Sequence, residues 1–194
     1  MEYNNILIRT GRPNDAGKIA EAIFEAVGEE ATSNFAGTPE RLPLVKRLFT
    51  ELAVRDDSQY SYRNALVAET ADGEVVGVAI SYDGADLHTL RERFFEKADE
   101  ILGLRMSADN VDDETVPDEI YLDTLCVFEP YRQRGIASRL IKATVERHRG
   151  TGKPVGLLVD KNNIKAQKLY EKNGFREVGE TPFFGILMNH MQCS

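Results

Sequence analysis

The sequence predicts a mixed α/β fold with about seven strands, and three observations lead to that fold class. Segments with strand-like and helical hydrophobic periods alternate along the 194 residues. Asp72-Gly73 separates two strand-like runs, which is typical of a β-hairpin. A buried strand, a turn rich in Arg and Gly, and a long helix follow one another over residues 121–149. With 42% hydrophobic residues, we expect one domain with a core, spanning residues 1–194.

The first half of the chain is predicted to contain three strands and three helices. The strands are short apolar runs at residues 6–9, 62–70 and 74–81. The helices carry apolar residues at intervals of three and four; they begin at Pro13, at Glu40 (ending near 55) and at Leu87 (ending near 104). An acidic loop over residues 107–117 follows the third helix.

The second half is predicted to contain four strands and two helices. The strands are residues 119–128, 155–159, 175–178 and 183–190, and Glu180-Thr181-Pro182 separates the last two. The first helix runs from Gln133 to about Arg149. The second covers residues 164–172, because Asn163 is a favoured N-cap and Asn173-Gly174 suits a left-handed helix end.

The charge distribution favours an anionic cofactor. The net charge is −8, and residues 82–119 alone carry twelve acidic and four basic side chains. Residues 128–153, by contrast, hold seven basic and two acidic side chains. An acidic chain with one basic patch fits an anionic small molecule better than nucleic acid, so no nucleic-acid partner is expected.

Membrane and metal sites are not expected. No stretch approaches the ~20 apolar residues that span a bilayer, and residues 1–10 lack the basic start and apolar run of a signal peptide. Cys126 and Cys193 have neither disulfide nor metal spacing, and the three histidines are scattered. Two such thiols suit a reducing compartment, so we expect a cytoplasmic protein.

The turn over residues 132–138 has the features of an anion site. The first N–H groups of the following helix lack intrahelical partners, and the helix dipole favours negative charge there. Gly135 and Ala137 let a pyrophosphate approach the backbone closely. The spacing matches neither the dinucleotide fingerprint nor the Walker loop. Taken alone, the segment also fits an ordinary strand–turn–helix with surface arginines.

Two motifs together resemble one family. The strand followed by V-x-x-x-Y-R-x-R-G-I-A and an amphipathic helix resembles the acetyl-CoA-binding motif of the GNAT N-acetyltransferase superfamily. Residues 163–175 are similar to its second motif, N-x-x-A-x-x-L-Y-x-x-x-G-F, at the expected distance. The N-terminal strand and helices and the hairpin also resemble GNAT domains, so the resemblance covers nearly the whole chain.

The resemblance implies a mostly antiparallel central sheet flanked by helices, in which the fourth and fifth strands splay apart. Residues 83–118 would be an acidic helix-loop insert, hereafter the acidic insert. Acetyl-CoA would be the cosubstrate, with its pyrophosphate on the turn amides, the Val127 N–H polarising the acetyl carbonyl and the Leu125 carbonyl holding the pantetheine arm. The residues assigned to cofactor binding are Leu125, Val127, Arg132, Gln133, Arg134, Gly135, Ile136, Ala137, Ser138, Asn163, Ala166 and Tyr170.

Tyr170 is the predicted general acid. A tyrosine has a reference pKa of ~10 and a thiol of ~8.5, so Tyr170 would be protonated at neutral pH and could protonate the departing thiolate. Ala166 shares its helix face and leaves room for the pantetheine arm. The resemblance places Tyr170 beside the CoA sulfur; a core aromatic is the alternative. Asn163 would line the cofactor channel or serve only as a helix cap.

Asp123 is the favoured base or substrate-amine anchor, and Glu119 is the second choice. Strand alternation predicts that Glu119, Tyr121, Asp123, Leu125 and Val127 share one face, where unpaired buried acids are costly. An amine with a pKa of ~10.4 and a carboxylate near ~4 are badly matched, so a raised carboxylate pKa or a water chain is required. The alternative is a carboxylate that pairs with a neighbouring arginine.

The predicted function is acetyl-CoA-dependent N-acetyl transfer to a primary amine of a small molecule or peptide. The acidic insert suggests a cationic acceptor, such as a polyamine, an aminoglycoside-like amine or a lysine side chain; a solvated loop is the alternative. A non-catalytic acyl-CoA sensor is the alternative function, although Tyr170 argues against it. A longer acyl chain and a homodimer both stay open.

Overall fold

The computed structural model describes residues 6–194, apart from the side chains of residues 29–31, 34 and 110. Residues 1–5, which carry part of the argument against a signal peptide, lie outside the described residues.

The strands are β1 (Leu7–Thr10), β2 (Ala65–Glu69), β3 (Val75–Asp83), β4 (Ile120–Val127), β5 (Val155–Asp160), β6 (Arg176–Phe183) and β7 (Ile186–Cys193). They form one sheet in the order β1-β2-β3-β4-β5-β7-β6, in which β4 and β5 are parallel and the other described neighbours antiparallel. The predicted fold class is confirmed.

Helices cover both faces of the sheet. They are α1 (Ala16–Val27), α2 (Glu29–Ala36), α3 (Leu42–Ala53), α4 (Leu87–Leu102), α5 (Ile136–His148) and α6 (Ile164–Lys172). Apolar residues of α1, α3 and α4 form a core on one face, and those of α5 and α6 form a core on the other. We refer to these as the α1–α3 face and the α5 face. Helix α2 was not predicted, because its eight residues are mostly polar and show no helical period.

A bulge interrupts the pairing of β4 with β3 at Asp123. Ile80 pairs with Thr124 and Ser81 pairs with Leu122, so Asp123 is the extra residue. Such a residue stays unpaired and bends its strand. The alternation of side chains between the two faces therefore shifts by one residue at Asp123. Residues before and after Asp123 that a regular strand would place on one face lie on opposite faces.

The bulge divides the residues that strand alternation assigned to one face. Leu125 and Val127 pack against the core of the α5 face. Tyr121 instead packs against Tyr82 on the α1–α3 face, where Asp123 also makes its contacts. The expectation of a single shared face is wrong, because the period of two holds only along a regular strand.

The predicted divergence of the fourth and fifth strands is confirmed. β4 and β5 pair only at Ile120–Val155 and Tyr121–Gly156, although β4 continues to Val127 and β5 to Asp160. Beyond Tyr121 the two strands separate, which opens a gap in the middle of the sheet.

The last hairpin turns later than predicted. β6 continues through Thr181 and Pro182 to Phe183, and the turn is Phe184-Gly185, with φ of 49° and 77°. The expectation of a turn at residues 180–182 is wrong. β6 lies at the edge of the sheet, where proline is tolerated because no strand needs its missing N–H.

Gly156 lies under the Glu119 carboxylate, where a β-carbon would overlap both carboxylate oxygens. We expect Gly156→Ala to lower the free energy of unfolding by about 3 kcal/mol, because an overpacked core must shift. Gly179→Ala is the matched control, since a β-carbon there would meet nothing within 4 Å, and it should change stability by less than about 0.5 kcal/mol. Urea denaturation measures both, and equal midpoints would contradict this prediction.

Candidate active site

The free edge of β4 faces the gap between β4 and β5. Phe128 donates its N–H to the carbonyl of Val76 in β3, and hydrogen-bonding direction alternates along an antiparallel strand. The peptide groups of Leu125 and Val127 therefore point toward the gap. Arg132 confirms that direction, because its Nε donates to the Val127 carbonyl at 2.8 Å. The gap offers an extended ligand the backbone pattern that a neighbouring strand would offer.

The turn at the end of β4 leads into an open helix N-terminus. Gln133 and Gly135 both have positive φ, 63° and 76°, which is strained for glutamine and ordinary for glycine. A β-carbon at Gly135 would meet nothing within 4 Å, so space remains in front of α5. Ile136 itself is buried in the core, and only its backbone is available to a ligand. The turn fits an anionic group held by peptide N–H groups.

Arg132 and Arg134 of this turn have different surroundings. Besides its bond to the Val127 carbonyl, Arg132 forms an ion pair of 2.9 Å with Glu25 of α1. Arg134 lies over the ring of Tyr131, 5.6 Å from its centre. Arg132 thus joins the turn to α1 and to the end of β4.

Helix α6 brings Tyr170 to the same core as β4. Asn163 is confirmed as the N-cap, because its Oδ1 accepts the N–H of Ala166 at 3.1 Å. Ala166 and Tyr170 pack against the α5-face core that also contacts Leu125 and Val127. Burial raises the pKa of Tyr170 to about 12, so the phenol keeps its proton at neutral pH.

A hydrogen bond joins the two predicted cofactor segments. Asn173 follows α6, and its Nδ2 donates to the hydroxyl of Ser138 in the first turn of α5 at 3.0 Å. The same amide group also donates to the carbonyl of Leu169, at 2.8 Å. The end of α6 is thereby fixed against the start of α5.

Asp123 belongs to a cluster on the α1–α3 face. Its Oδ2 accepts the hydroxyl of Tyr82 at 3.0 Å, and its Oδ1 accepts that of Thr124 at 2.8 Å. The same Tyr82 hydroxyl lies 3.3 Å from Glu114 Oε1. Burial is the main cause that raises the pKa of Asp123. Burial, and then the charge of Asp123, raise the pKa of Glu114 to about 7.

Glu114 comes from the acidic insert, and the sequence reasoning did not single it out. It is 5% exposed and forms an ion pair with Arg91 of α4, itself buried, which also contacts Asp113 at 3.0 Å. The exposed acids of the insert include Asp109 and Asp118. No period in the sequence separates Glu114 from these neighbours, so only the folded chain distinguishes it.

Glu119 lies in a separate, fully bonded environment. It is completely buried, and it accepts hydrogen bonds from Thr115 at 2.7 Å, His190 at 2.7 Å and Gln192 at 2.8 Å. Burial acts to raise the pKa of Glu119, but these donors together hold it below its usual value. The structure therefore does not bring the two predicted acids together: Asp123 shares the Tyr82 hydroxyl with Glu114, and Glu119 contacts β7.

Two other kinds of site are absent from the described residues 6–194. No three His, Cys, Asp or Glu side chains in the described chain are grouped as metal ligands. None of its helices combines the length and the apolar character needed to cross a bilayer.

The fold and the site together define a class of protein. A parallel strand pair splays apart, and the gap leads to a helix N-terminus, as in acyltransferases of the GNAT fold. The chain belongs to the acetyltransferase (GNAT) family, whose family model matches residues 29–175.

Known proteins agree with that membership. The chain is similar to an N-acetyltransferase from Staphylococcus aureus Mu50, with a TM-score of 0.78 and 25% identity over 96% of this chain and 99% of that one. It is also similar to a second solved acetyltransferase, with a TM-score of 0.75 and 33% identity over 97% and 98%. A curated relative, GCN5-related N-acetyltransferase 6, chloroplastic, of Arabidopsis thaliana, is 42% identical over 59 residues. That match spans 30% of this chain and only 20% of the relative.

The raised pKa of Glu114 has a consequence for stability. The folded pKa of about 7 exceeds the ordinary 4.5, so between these values the folded state binds the proton more tightly. The contribution of Glu114 is fully present below pH 4.5 and is lost as pH rises to about 7, by up to about 3 kcal/mol.

We therefore expect the difference in unfolding free energy between wild type and Glu114→Gln to change between pH 4.5 and pH 7. Chemical denaturation at a series of pH values measures it. Glu92→Gln, an exposed change of the same charge on α4, should give a curve parallel to that of wild type. A parallel curve for Glu114→Gln would refute the prediction.

Proposed function

We propose that residues 1–194 form one acetyl-CoA-dependent N-acetyltransferase domain that acts on a primary amine of a small molecule or peptide. The observation that carries the proposal is the bulge at Asp123 in β4. It directs Leu125 and Val127 toward the α5 face and leaves Asp123 on the other face. One strand thus offers a groove for the acyl donor and a carboxylate for the acceptor.

The residues around the gap fit acetyl-CoA. The Leu125 carbonyl would accept from the pantetheine arm, and the Val127 N–H would stabilise negative charge on the acetyl oxygen. The N–H groups of residues 135–138 would bind the pyrophosphate at the start of α5, with Arg132, Gln133 and Arg134 around it. Acetyl-CoA supplies an activated thioester, and no metal has a part in the proposal.

Tyr170 is the proposed acid. Because burial raises its pKa to about 12, the phenol holds a proton that a thiolate would accept. Ala166 lies one helical turn earlier on the same face, and its small side chain leaves room for the pantetheine arm. Asn163 caps this helix and fixes its start.

Asp123 is the proposed base and anchor for the amine. The pKa of Asp123 is raised and therefore lies closer to the pKa of an amine than an ordinary carboxylate pKa does. This reduces the difference in pKa that hinders direct proton transfer. Glu119, the second choice, is less suited, because donors occupy both its oxygens and lower its pKa. We propose that Glu119 orients β4 against β7 rather than moving a proton.

A thiol-release assay with an amine panel tests the function. The panel contains a diamine, spermidine, a lysine peptide, an aminoglycoside and an amine that is uncharged at the assay pH. We expect release with primary amines and faster release with cationic ones, because buried acids favour positive charge. Equal rates for neutral and cationic acceptors would contradict the cationic preference. Tight acetyl-CoA binding without release for any amine would favour the sensor alternative.

Tyr170→Phe tests the proposed acid. We expect kcat to fall by about 100-fold or more, because general acid catalysis typically contributes that much. The dissociation constant for acetyl-CoA should change little, since the ring stays in place. Tyr62→Phe, which removes a hydroxyl outside the proposed site, is the control. Unchanged turnover in Tyr170→Phe would remove Tyr170 from the acid role.

A further inference from the structure

A buried side-chain oxygen near Asp123 has no hydrogen-bond partner among the residues that the structure describes. Gln59, in the loop between α3 and β2, is 4% exposed. In the described part of the chain no group donates to its Oε1. Gln59 hydrogen-bonds with both Asp123 and Tyr60 and lowers the pKa of each. Because buried acceptors are normally satisfied, the open Oε1 points to a ligand that donates.

Asp123 shares a hydroxyl with a second carboxylate, that of Glu114. Tyr82 lies 3.0 Å from Asp123 and 3.3 Å from Glu114, but a tyrosine carries a single proton to donate. Asp123 and Glu114 are hereafter called the carboxylate pair. Burial raises the pKa of both, and the charge of Asp123 raises that of Glu114 further, so the pair takes up a proton more readily than an exposed carboxylate.

The groups that face the carboxylate pair come from every element around it. Tyr60 precedes β2, Tyr82 belongs to β3 and Tyr121 to β4. All three phenols are neutral, because burial holds their pKa well above the ordinary value. Arg91 of α4 is the nearby cation, and it pairs with Glu114. Gln59, the carboxylate pair and these neutral rings are hereafter called the pocket.

We propose that Gln59 and the carboxylate pair bind the ammonium group of a primary alkylamine, and that this nitrogen is the acceptor of the acetyl group. The inference rests on the proposed function, and it names the substrate class and two further residues, Gln59 and Glu114. An alkylammonium has three N–H donors, and the pocket offers three acceptors. Asp123 is partly exposed whereas Gln59 and Glu114 are buried, so the amine enters past Asp123.

The proton balance of the step follows from the pair. One N–H bond of the ammonium breaks, its proton moves to the carboxylate pair, and the electron pair stays on nitrogen. The carboxylate pair thereby gains one proton and loses one negative charge. The nitrogen lone pair forms the C–N bond to the acetyl carbonyl carbon, the C–S bond breaks, and the thiolate takes a proton from Tyr170. Of the two protons left on the nitrogen, one stays as the amide N–H and the other returns to the Tyr170 phenolate through solvent. The carboxylate pair then releases its added proton to solvent.

Calorimetric titration with butane-1,4-diamine measures binding to the pocket in the absence of acetyl transfer. We expect Gln59→Met to weaken binding by about 10-fold, because a charged donor loses its acceptor. Glu114→Gln should weaken it similarly, and Glu92→Gln, of equal charge change, should bind as wild type does. The fully N-methylated diamine should bind at least about 10-fold more weakly than the parent, since it leaves acceptors unsatisfied. Gln59→Met leaves the ion pair of Arg91 intact, so it stays informative if Glu114→Gln fails to fold.

The outcomes separate this inference from the proposed function. Binding that depends on Gln59, without acetyl transfer to any amine, would support the pocket and overturn the transferase function. Acetyl transfer with kcat and KM unchanged in Gln59→Met would support the function and overturn the pocket. No binding of the diamine to wild type, or equal binding of the methylated diamine, would also overturn the pocket.

Discussion

The short contact between β4 and β5 is the constraint on which the rest of the site depends. The two strands pair at Ile120 and Tyr121 and then separate, and a sheet that opens in its middle leaves backbone groups without partners. Such groups destabilise the folded state when they are buried without a partner. They therefore need hydrogen bonds from another group. In this fold the following turn and α5 lie at the end of the gap, where an anionic ligand can also be held. This is the backbone that the proposed function assigns to the acyl donor.

The place where the strands meet is itself reinforced. The Glu119 carboxylate covers Gly156 of β5 and accepts hydrogen bonds from His190 and Gln192 of β7. Three strands are therefore joined at one buried anion, immediately before β4 diverges. A buried carboxylate needs such donors to remain charged. This explains why an acid that looks catalytic in the sequence has a lowered pKa and a bonding role.

The bulge at Asp123 turns part of the same strand toward the other face of the sheet. Without it, Asp123 would face the same side as Leu125 and Val127. With it, the carboxylate faces Tyr82 and the acidic insert, in surroundings where burial raises its pKa. Two acids a few residues apart therefore acquire opposite properties, since one is surrounded by donors and the other by neutral rings and a second carboxylate.

The sequence by itself determined what depends on contiguous residues. The turn before α5, the Asn163 cap, the position of Tyr170 on its helix and the family follow from short local patterns, and they were predicted. The tertiary structure decided the bulge at Asp123, the extent of β6, and the meeting of Gln59, Arg91 and Glu114 with β4. These features depend on contacts between segments that are far apart in the chain. Such contacts produce no repeating pattern of residues in the sequence. The physical reason is that burial and pairing, rather than residue type, determine which carboxylate has a lowered pKa and which a raised one.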